Sequence, residues 1–190
     1  MQIISNSSCF NHAKRILGLC KDADELVIAS PFCFPNFDAF VSDITKDGSI
    51  HKITFITTMK KEEAVEKIEA LLSFRKAMGE HGIDWKIRID NTLHGKVYIF
   101  KKNNAPFAAI ITSANLTQHG LELNNEWGCL IEDAKAIEGV EKQLLADTDT
   151  ELMNDKLALI KDRADKARKE GWKKEKPQAI QIDDIPFYYA

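Results

Sequence analysis

The sequence predicts a single α/β domain in which a mixed β-sheet is flanked by helices on both faces. The chain has 190 residues, which is enough for one well-buried domain and too few for two. Apolar runs rich in β-branched residues alternate along the chain with segments of helical periodicity. Hydrophobic residues make up 44% of the chain and charged residues 29%, and no apolar run is long enough to cross a bilayer.

The first half of the chain alternates helices with strands. Residues 11–21 carry apolar side chains at helical spacing, with Asn11 as the predicted N-cap. Residues 25–30 form a continuous apolar run, which is typical of a strand covered on both faces. A helix at 36–44, a strand at 52–58, an amphipathic helix at 61–78 and a strand at 85–89 follow.

The second half predicts three consecutive strands before the chain returns to helices. The strands cover residues 94–100, 106–112 and 126–131, and a helix follows at 134–147. We expect the main domain to span residues 1–150, a charged helix to occupy 151–176 and a tail with two prolines to form 177–190. The tail would pack on the domain, pack on a partner subunit or lead to a further segment.

Five polar residues that suit phosphoryl chemistry gather around the predicted central strands. The strand that begins at His94 points His94 and Lys96 to one face, because side chains alternate along a strand. The next strand ends at Ser113 and Asn115, whose spacing of two places them on the same face. A hairpin would set these two residues beside His94 and Lys96. Glu126 opens a further strand. The set contains an imidazole, an ammonium, a hydroxyl, an amide, and a carboxylate to orient the imidazole, which together suit phosphoryl transfer.

Other candidate residues have simpler interpretations. The segment from His12 to Lys14 repeats the H-x-K pattern, but positions i and i+2 of a helix do not face each other, so we interpret it as accidental. His119 is expected in a loop near the site, where it could contact substrate. Tyr98 and Trp127 are expected in the core or the wall of the site.

The H-x-K motif at 94–96, the S-x-N motif at 113–115 and Glu126 resemble the phospholipase D superfamily. The block from residue 93 to 132 is similar to the single-motif bacterial nucleases and the phospholipase D-type restriction endonucleases. The family's fuller motif has an Asp where this chain has Lys101, which we expect to be exposed. The resemblance implies that this Asp is more structural than chemical, so its absence disfavours lipid-headgroup transfer more than nucleic-acid hydrolysis.

The resemblance also implies a metal-independent phosphodiesterase with no cofactor, active as a homodimer with one pocket on its two-fold axis. One copy of His94 would attack phosphorus to form a phosphohistidine, while the other would protonate the leaving alkoxide and then activate water. Lys96 and Asn115 would neutralise the developing charge in place of metal ions. DNA is expected as the substrate in preference to RNA. Restriction-type relatives carry a separate DNA-reading domain, so specificity would come from a further segment or from a separate specificity or helicase partner.

Two alternatives stay open on the sequence: a non-catalytic nucleic-acid-binding dimer module of a larger complex, and a lipid-acting phosphodiesterase. The net charge is −3, but residues 155–176 contain nine Lys or Arg against five Asp or Glu. This stretch is either a solvated helix face or an arm that grips phosphates. The four cysteines show no C-x-x-C spacing, which argues against a zinc site and a disulfide framework. The first residues do not look like a secretory signal, so we expect a cytoplasmic protein with no membrane partner.

Overall fold

In the computed structural model, the protein folds into one eight-stranded sheet with helices on both faces. The structure describes residues 1–7, 10–47, 49–60, 63–148 and 150–171. The strands are β1 (Gln2–Ser5), β2 (Glu25–Ala29), β3 (Lys52–Thr57), β4 (Asp84–Ile89), β5 (Lys96–Lys102), β6 (Ala105–Thr112), β7 (Trp127–Ile131) and β8 (Thr150–Leu152). The α-helices are α1 (His12–Cys20), α2 (Asp38–Thr45), α3 (Ala64–Glu80), α4 (Ala134–Ala146) and α5 (Asn154–Lys169). A short π-helical turn, His119–Leu123, follows β6.

The sheet is mixed, and its strand order is β1-β7-β6-β5-β2-β3-β4-β8. Strands β2, β3 and β4 run parallel, and every other neighbouring pair is antiparallel. The ends of β2 and β6 therefore lie beside the starts of β5 and β7, in the row of strand ends that forms one border of the sheet. We call it the site edge; it includes Ser30, His94, Lys96, Ser113 and Glu126.

The helices divide between the two faces of the sheet. Helices α1, α2, α3 and α5 cover one face, where they enclose the larger core. Phe37 lies at the centre of this core, with its ring centroid 5.2 Å from that of Phe74 and 5.9 Å from that of Phe55. Helix α4 covers the other face and buries Ile137 in a smaller core. In the part of the chain that the structure describes, no helix has the length and apolar character needed to span a membrane.

The predicted helices and inner strands are present, and the structure differs from the prediction at the two outer strands and at the start of α5. Asn11 caps α1 as expected, accepting a hydrogen bond of 3.0 Å from the backbone N–H of Lys14. The short edge strands β1 and β8 were not predicted, because three or four residues are too few to establish a period. As a result, the helix predicted from residue 151 begins at Asn154. The tail at 177–190 lies outside the described residues.

The expectation that Lys101 is exposed was wrong. Its side chain is only 14% exposed, and its Nζ lies 2.7 Å from Glu141 Oε1 and 4.0 Å from Glu25 Oε2. Helix α4 packs over this end of β5 and brings Glu141 to the lysine. A local pattern cannot reveal that contact, because it joins residues that are 40 positions apart.

Candidate active site

The five candidate residues lie at the site edge, at the ends of three neighbouring strands. Lys96 pairs with Thr112 in the antiparallel register of β5 and β6, which places their Cα atoms about 5 Å apart. The predicted hairpin is therefore present. His94 lies two residues before Lys96, outside the strand that was expected to contain it, and Ser113 follows Thr112 directly. Glu126 immediately precedes β7, the other neighbour of β6.

Lys96 is nearly buried, with a relative exposure of 9%. Among the described residues it has no carboxylate partner, whereas Lys52 and Lys101 both form ion pairs with Glu25. Burying an ammonium without a counter-ion costs folding free energy. The position of Lys96 beside the exposed His94 therefore suits an anionic group of a ligand.

Ser113 and Glu126 contact each other across the strand ends. The Ser113 hydroxyl donates a hydrogen bond to Glu126 Oε2, and it accepts one of 3.1 Å from the backbone N–H of Trp127. Asn124 Nδ2 lies 3.5 Å from Glu126 Oε1. The predicted bond between Glu126 and the imidazole of His94 is not formed within the described part of the chain. Glu126 keeps acceptor capacity, since a carboxylate accepts several hydrogen bonds.

Asn115 lies on a loop that the neighbouring backbone holds closely. The backbone N–H of Leu116 donates a 3.0 Å hydrogen bond to Ser30 Oγ, and Asn115 Oδ1 lies 3.5 Å from the same atom. Leu116 also forms a parallel bridge with Cys33. Gly120 packs on this loop, and a Cβ at this position would lie 2.5 Å from the carbonyl oxygen of Asn115. Glycine is therefore required for the π turn to pack against the loop and fix it.

His12 reaches the site from the start of α1, which the sequence did not indicate. It is completely buried, with Nε2 2.7 Å from Thr112 Oγ1 and Nδ1 2.7 Å from Asn6 Oδ1. The amide nitrogen of Asn6 donates hydrogen bonds to the carbonyl oxygens of Gly120 (2.8 Å) and Asn124 (3.0 Å). His12 and Asn6 thus connect the loops that carry Asn115 and Glu126.

The surroundings of His12 determine its protonation. Because the Asn6 amide oxygen faces Nδ1, that nitrogen carries the hydrogen. Burial lowers the pKa of His12, although the negative charge of Glu126 acts in the opposite direction. With the hydrogen on Nδ1, Nε2 is an acceptor for the Thr112 hydroxyl, whose one hydrogen it shares with the carbonyl oxygen of Trp127, 2.9 Å from Thr112 Oγ1. His12 is buried whereas Lys14 is exposed, so the two residues of this H-x-K segment do not form a common ligand surface.

The aromatic candidates and His119 have different environments. Tyr98 is fully buried, and its hydroxyl donates to the carbonyl oxygen of Ala114 at 3.1 Å. Trp127 is 58% exposed and lies on the face that α4 covers, beyond the reach of that helix. His119 is exposed at the start of the π turn rather than in an irregular loop.

Comparisons with known proteins indicate the family and the fold of the chain. Residues 12–160 match the profile of the NgoFVII restriction endonuclease N-terminal PLD domain. The fold is similar to that of Nuc from Salmonella typhimurium, a phospholipase D family member, with a TM-score of 0.52 and 16% identity over 78% of this chain and 95% of that chain. NucT from Helicobacter pylori aligns with a TM-score of 0.49 and 14% identity, over 77% of this chain and 96% of that chain. No curated protein sequence matches the chain. Because the profile covers most of the chain, the protein belongs to the family of NgoFVII-type restriction endonuclease N-terminal phospholipase D domains.

Proposed function

We propose that the chain is a metal-independent phosphodiesterase that hydrolyses DNA. The observation that carries this proposal is the nearly buried Lys96, which has no carboxylate partner among the described residues and lies beside the exposed His94. The non-bridging oxygens of a phosphodiester would supply the missing negative charge. Membership in a restriction endonuclease family supports nucleic acid as the source of that phosphodiester.

In the proposed reaction, one His94 imidazole attacks phosphorus, and the P–O bond to the leaving alkoxide breaks. A second imidazole gives its proton to that alkoxide. The second imidazole then takes a proton from water, whose oxygen attacks phosphorus and breaks the P–N bond of the phosphohistidine. Lys96 and Asn115 stabilise the charge that grows on the non-bridging oxygens in both steps.

The need for two imidazoles supports a homodimer, since His94 occurs once in each chain. A surface suited to this association adjoins the site. Ile3 and Trp127 are 61% and 58% exposed, and the register of β1 and β7 places them on the same face of the sheet. A second copy that packed here about a two-fold axis would bury both side chains and bring the two site edges together.

The alternative of a non-catalytic binding module depends on the substitution of the family's Asp by Lys101. Lys101 lies five residues along β5 from Lys96, a distance of roughly 17 Å in a strand. It pairs there with Glu141. The substitution therefore removes no group from the site edge, which favours catalysis over binding alone.

The test is cleavage of plasmid DNA in excess EDTA, with His94→Ala as the control. We expect cleavage by the wild type to persist, because Lys96 and Asn115 supply the positive charge and hydrogen-bond donors. A covalent phosphoprotein should be trapped by denaturation at alkaline pH, where the P–N bond of a phosphohistidine is stable, and be missing in His94→Ala. Activity that disappears in EDTA and returns with Mg²⁺ would refute the metal-independent mechanism. Phosphatidylcholine vesicles, assayed alongside, test the lipid-acting alternative.

A further inference from the structure

A cavity of about 560 Å³ opens at the site edge, between α1, α2 and the π turn. A short loop of the chain connects the cavity with the candidate active site. Asn115 is followed within two residues by Thr117, which lines the cavity. The bridge between Cys33 and Leu116 fixes this loop against the loop that supplies the opposite wall. The cavity and Asn115 are therefore parts of one rigid assembly.

The walls of the cavity are apolar and partly aromatic. Ile16 and Leu17 line it from α1, and Phe34 and Phe40 line it from the second loop and α2. The two phenyl rings lie 5.5 Å apart with an interplanar angle of 33°. Such walls suit the faces of a flat, apolar ring.

The polar groups of the cavity disfavour a phosphate. Asp43 and Glu122 contribute carboxylates, Asn36 and Gln118 contribute amides, and His119 contributes an imidazole. No lysine or arginine is among the described residues that line the cavity. The carboxylates would repel an anion, whereas they would accept hydrogen bonds from N–H groups at the edge of a ring.

We infer that this cavity binds a nucleobase of the substrate strand while the adjoining phosphodiester lies against Lys96 and Asn115. The inference rests on the proposed function and names the part of the substrate that the site would recognise. Within a phosphodiester polymer, the nucleobase is the component that is flat, uncharged and rich in N–H donors. A trimethylammonium headgroup would also suit the carboxylates, but it is far smaller than the cavity and has no flat face to pack against the wall that Phe34 and Phe40 form.

A base can enter such a cavity only when it is unstacked and unpaired. The cavity therefore selects single-stranded nucleic acid, or a nucleotide extruded from a duplex, over an intact duplex. Moving a base into the cavity costs less free energy from a single strand than from a duplex, because the base of a single strand is unpaired. The structure thus links the strandedness of the substrate to a defined group of side chains.

The test fills the cavity and removes the base in separate steps. Ala39 is exposed on α2 and lines the cavity, so Ala39→Trp places an indole inside it. Ala158→Trp, exposed near the start of α5 at the opposite edge of the sheet, is the matched control. Each protein is assayed in EDTA on a single-stranded oligonucleotide, on its duplex, and on a strand in which tetrahydrofuran residues replace all nucleosides.

We expect wild type and Ala158→Trp to cleave the normal single strand with a kcat/KM about tenfold or more above that for the baseless strand, from the known strength of base stacking. They should prefer the single strand to the duplex by a similar factor. Ala39→Trp should lose about tenfold on the normal strand and nothing on the baseless one.

Three results would overturn the inference: normal cleavage of the single strand by Ala39→Trp, an equal loss on both strands, or equal wild-type rates on single strand and duplex. A wild type that acts on phosphatidylcholine vesicles, and loses that activity alone in Ala39→Trp, would assign the cavity to a lipid headgroup. A wild type that cleaves none of the phosphodiesters would instead refute the proposed function itself.

Discussion

At the scale of single residues, the burial of the Lys96 ammonium is the clearest sign that this residue binds an anion, because its burial lowers the stability of the folded state. A buried ammonium with no carboxylate partner in the described part of the chain destabilises the folded state unless a ligand compensates it. Removing the charge while keeping the volume should therefore affect stability and activity in opposite directions.

We predict that Lys96→Met maintains or raises the melting temperature and lowers kcat far more than it raises KM. Asn115→Ala should also act mainly on kcat. Loss of one donor to the transition state costs about 2.7 to 4 kcal/mol, or roughly 100- to 1,000-fold in rate. Lys102→Ala, at the exposed far end of the same strand, should leave both quantities unchanged. An effect of Lys96→Met on KM alone would show that Lys96 binds substrate without stabilising the transition state.

His12 gives a prediction about pH. Its pKa in the folded state lies below the usual 6.5, so the unfolded chain binds a proton first as the pH falls. The stability that His12 contributes is therefore complete above pH 6.5 and is lost as the pH decreases below it. We expect urea unfolding to show a smaller decrease between pH 7.5 and pH 5 for His12→Gln than for the wild type. An identical decrease in both proteins would mean that His12 titrates alike in both states.

At the scale of elements, α5 shows how a basic sequence can serve packing. Its Arg168 lies 2.6 Å from Glu69 Oε1 on α3 and donates a hydrogen bond to the carbonyl oxygen of Val65. Lys161 pairs with Glu69 at 3.2 Å and with Asp165 at 2.6 Å. These contacts attach the last turns of α5 to the first turns of α3, close to the site edge. They also occupy two of the cations that a phosphate-gripping arm would use.

The remaining cations of the helix allow the two interpretations of this stretch to be separated. If the arm holds phosphates, the double substitution Lys166→Gln and Lys169→Gln should reduce the salt dependence of nucleic-acid binding by about 0.9 in log–log slope for each lost contact. Lys102→Gln, at the exposed far end of β5 and outside this stretch, is the control. An unchanged slope, measured by titration at several salt concentrations, would assign the helix to a solvated face. Lys173, Lys174 and Lys176 lie outside the described residues.

At the scale of the whole molecule, the site edge carries a single copy of His94 in each chain. If each pocket requires two copies of His94, a mixed dimer of wild type and His94→Ala retains a single histidine and should turn over poorly. If the pocket lies on a two-fold axis as proposed, activity should fall as the square of the wild-type fraction when the total protomer concentration is constant. The measurement is DNA cleavage after subunit exchange.

A linear decrease in that experiment, or an active monomer in solution, would show that each chain carries a complete site. His119 would then be the first candidate for the second imidazole, since it is exposed on the π turn that packs against the Asn115 loop. His119→Ala separates the two arrangements. It should weaken turnover without abolishing it in a shared site, because His119 lines the cavity beside Asn115, and it should abolish turnover in a site contained within one chain.

The sequence alone predicted the helices, the inner strands and the candidate residues, because these depend on local periodicity and spacing. Asn11 capped its helix as expected, and the hairpin between β5 and β6 brought Lys96 beside the strand end that carries Ser113. The H-x-K, S-x-N and Glu pattern indicated the family that the profile match then confirmed.

Only the tertiary structure decided which residues distant in the sequence contact each other. His12 and Thr112 are 100 positions apart, and Lys101 and Glu141 are 40 apart, yet each pair lies 2.7 Å apart in the fold. Such contacts depend on how helices pack on the sheet, which no local period encodes. The same reason explains why Glu126 accepts from Ser113 rather than from His94, and why the cavity beside Asn115 could not be foreseen. Composition and spacing specify the elements, and their packing specifies the partners of each side chain.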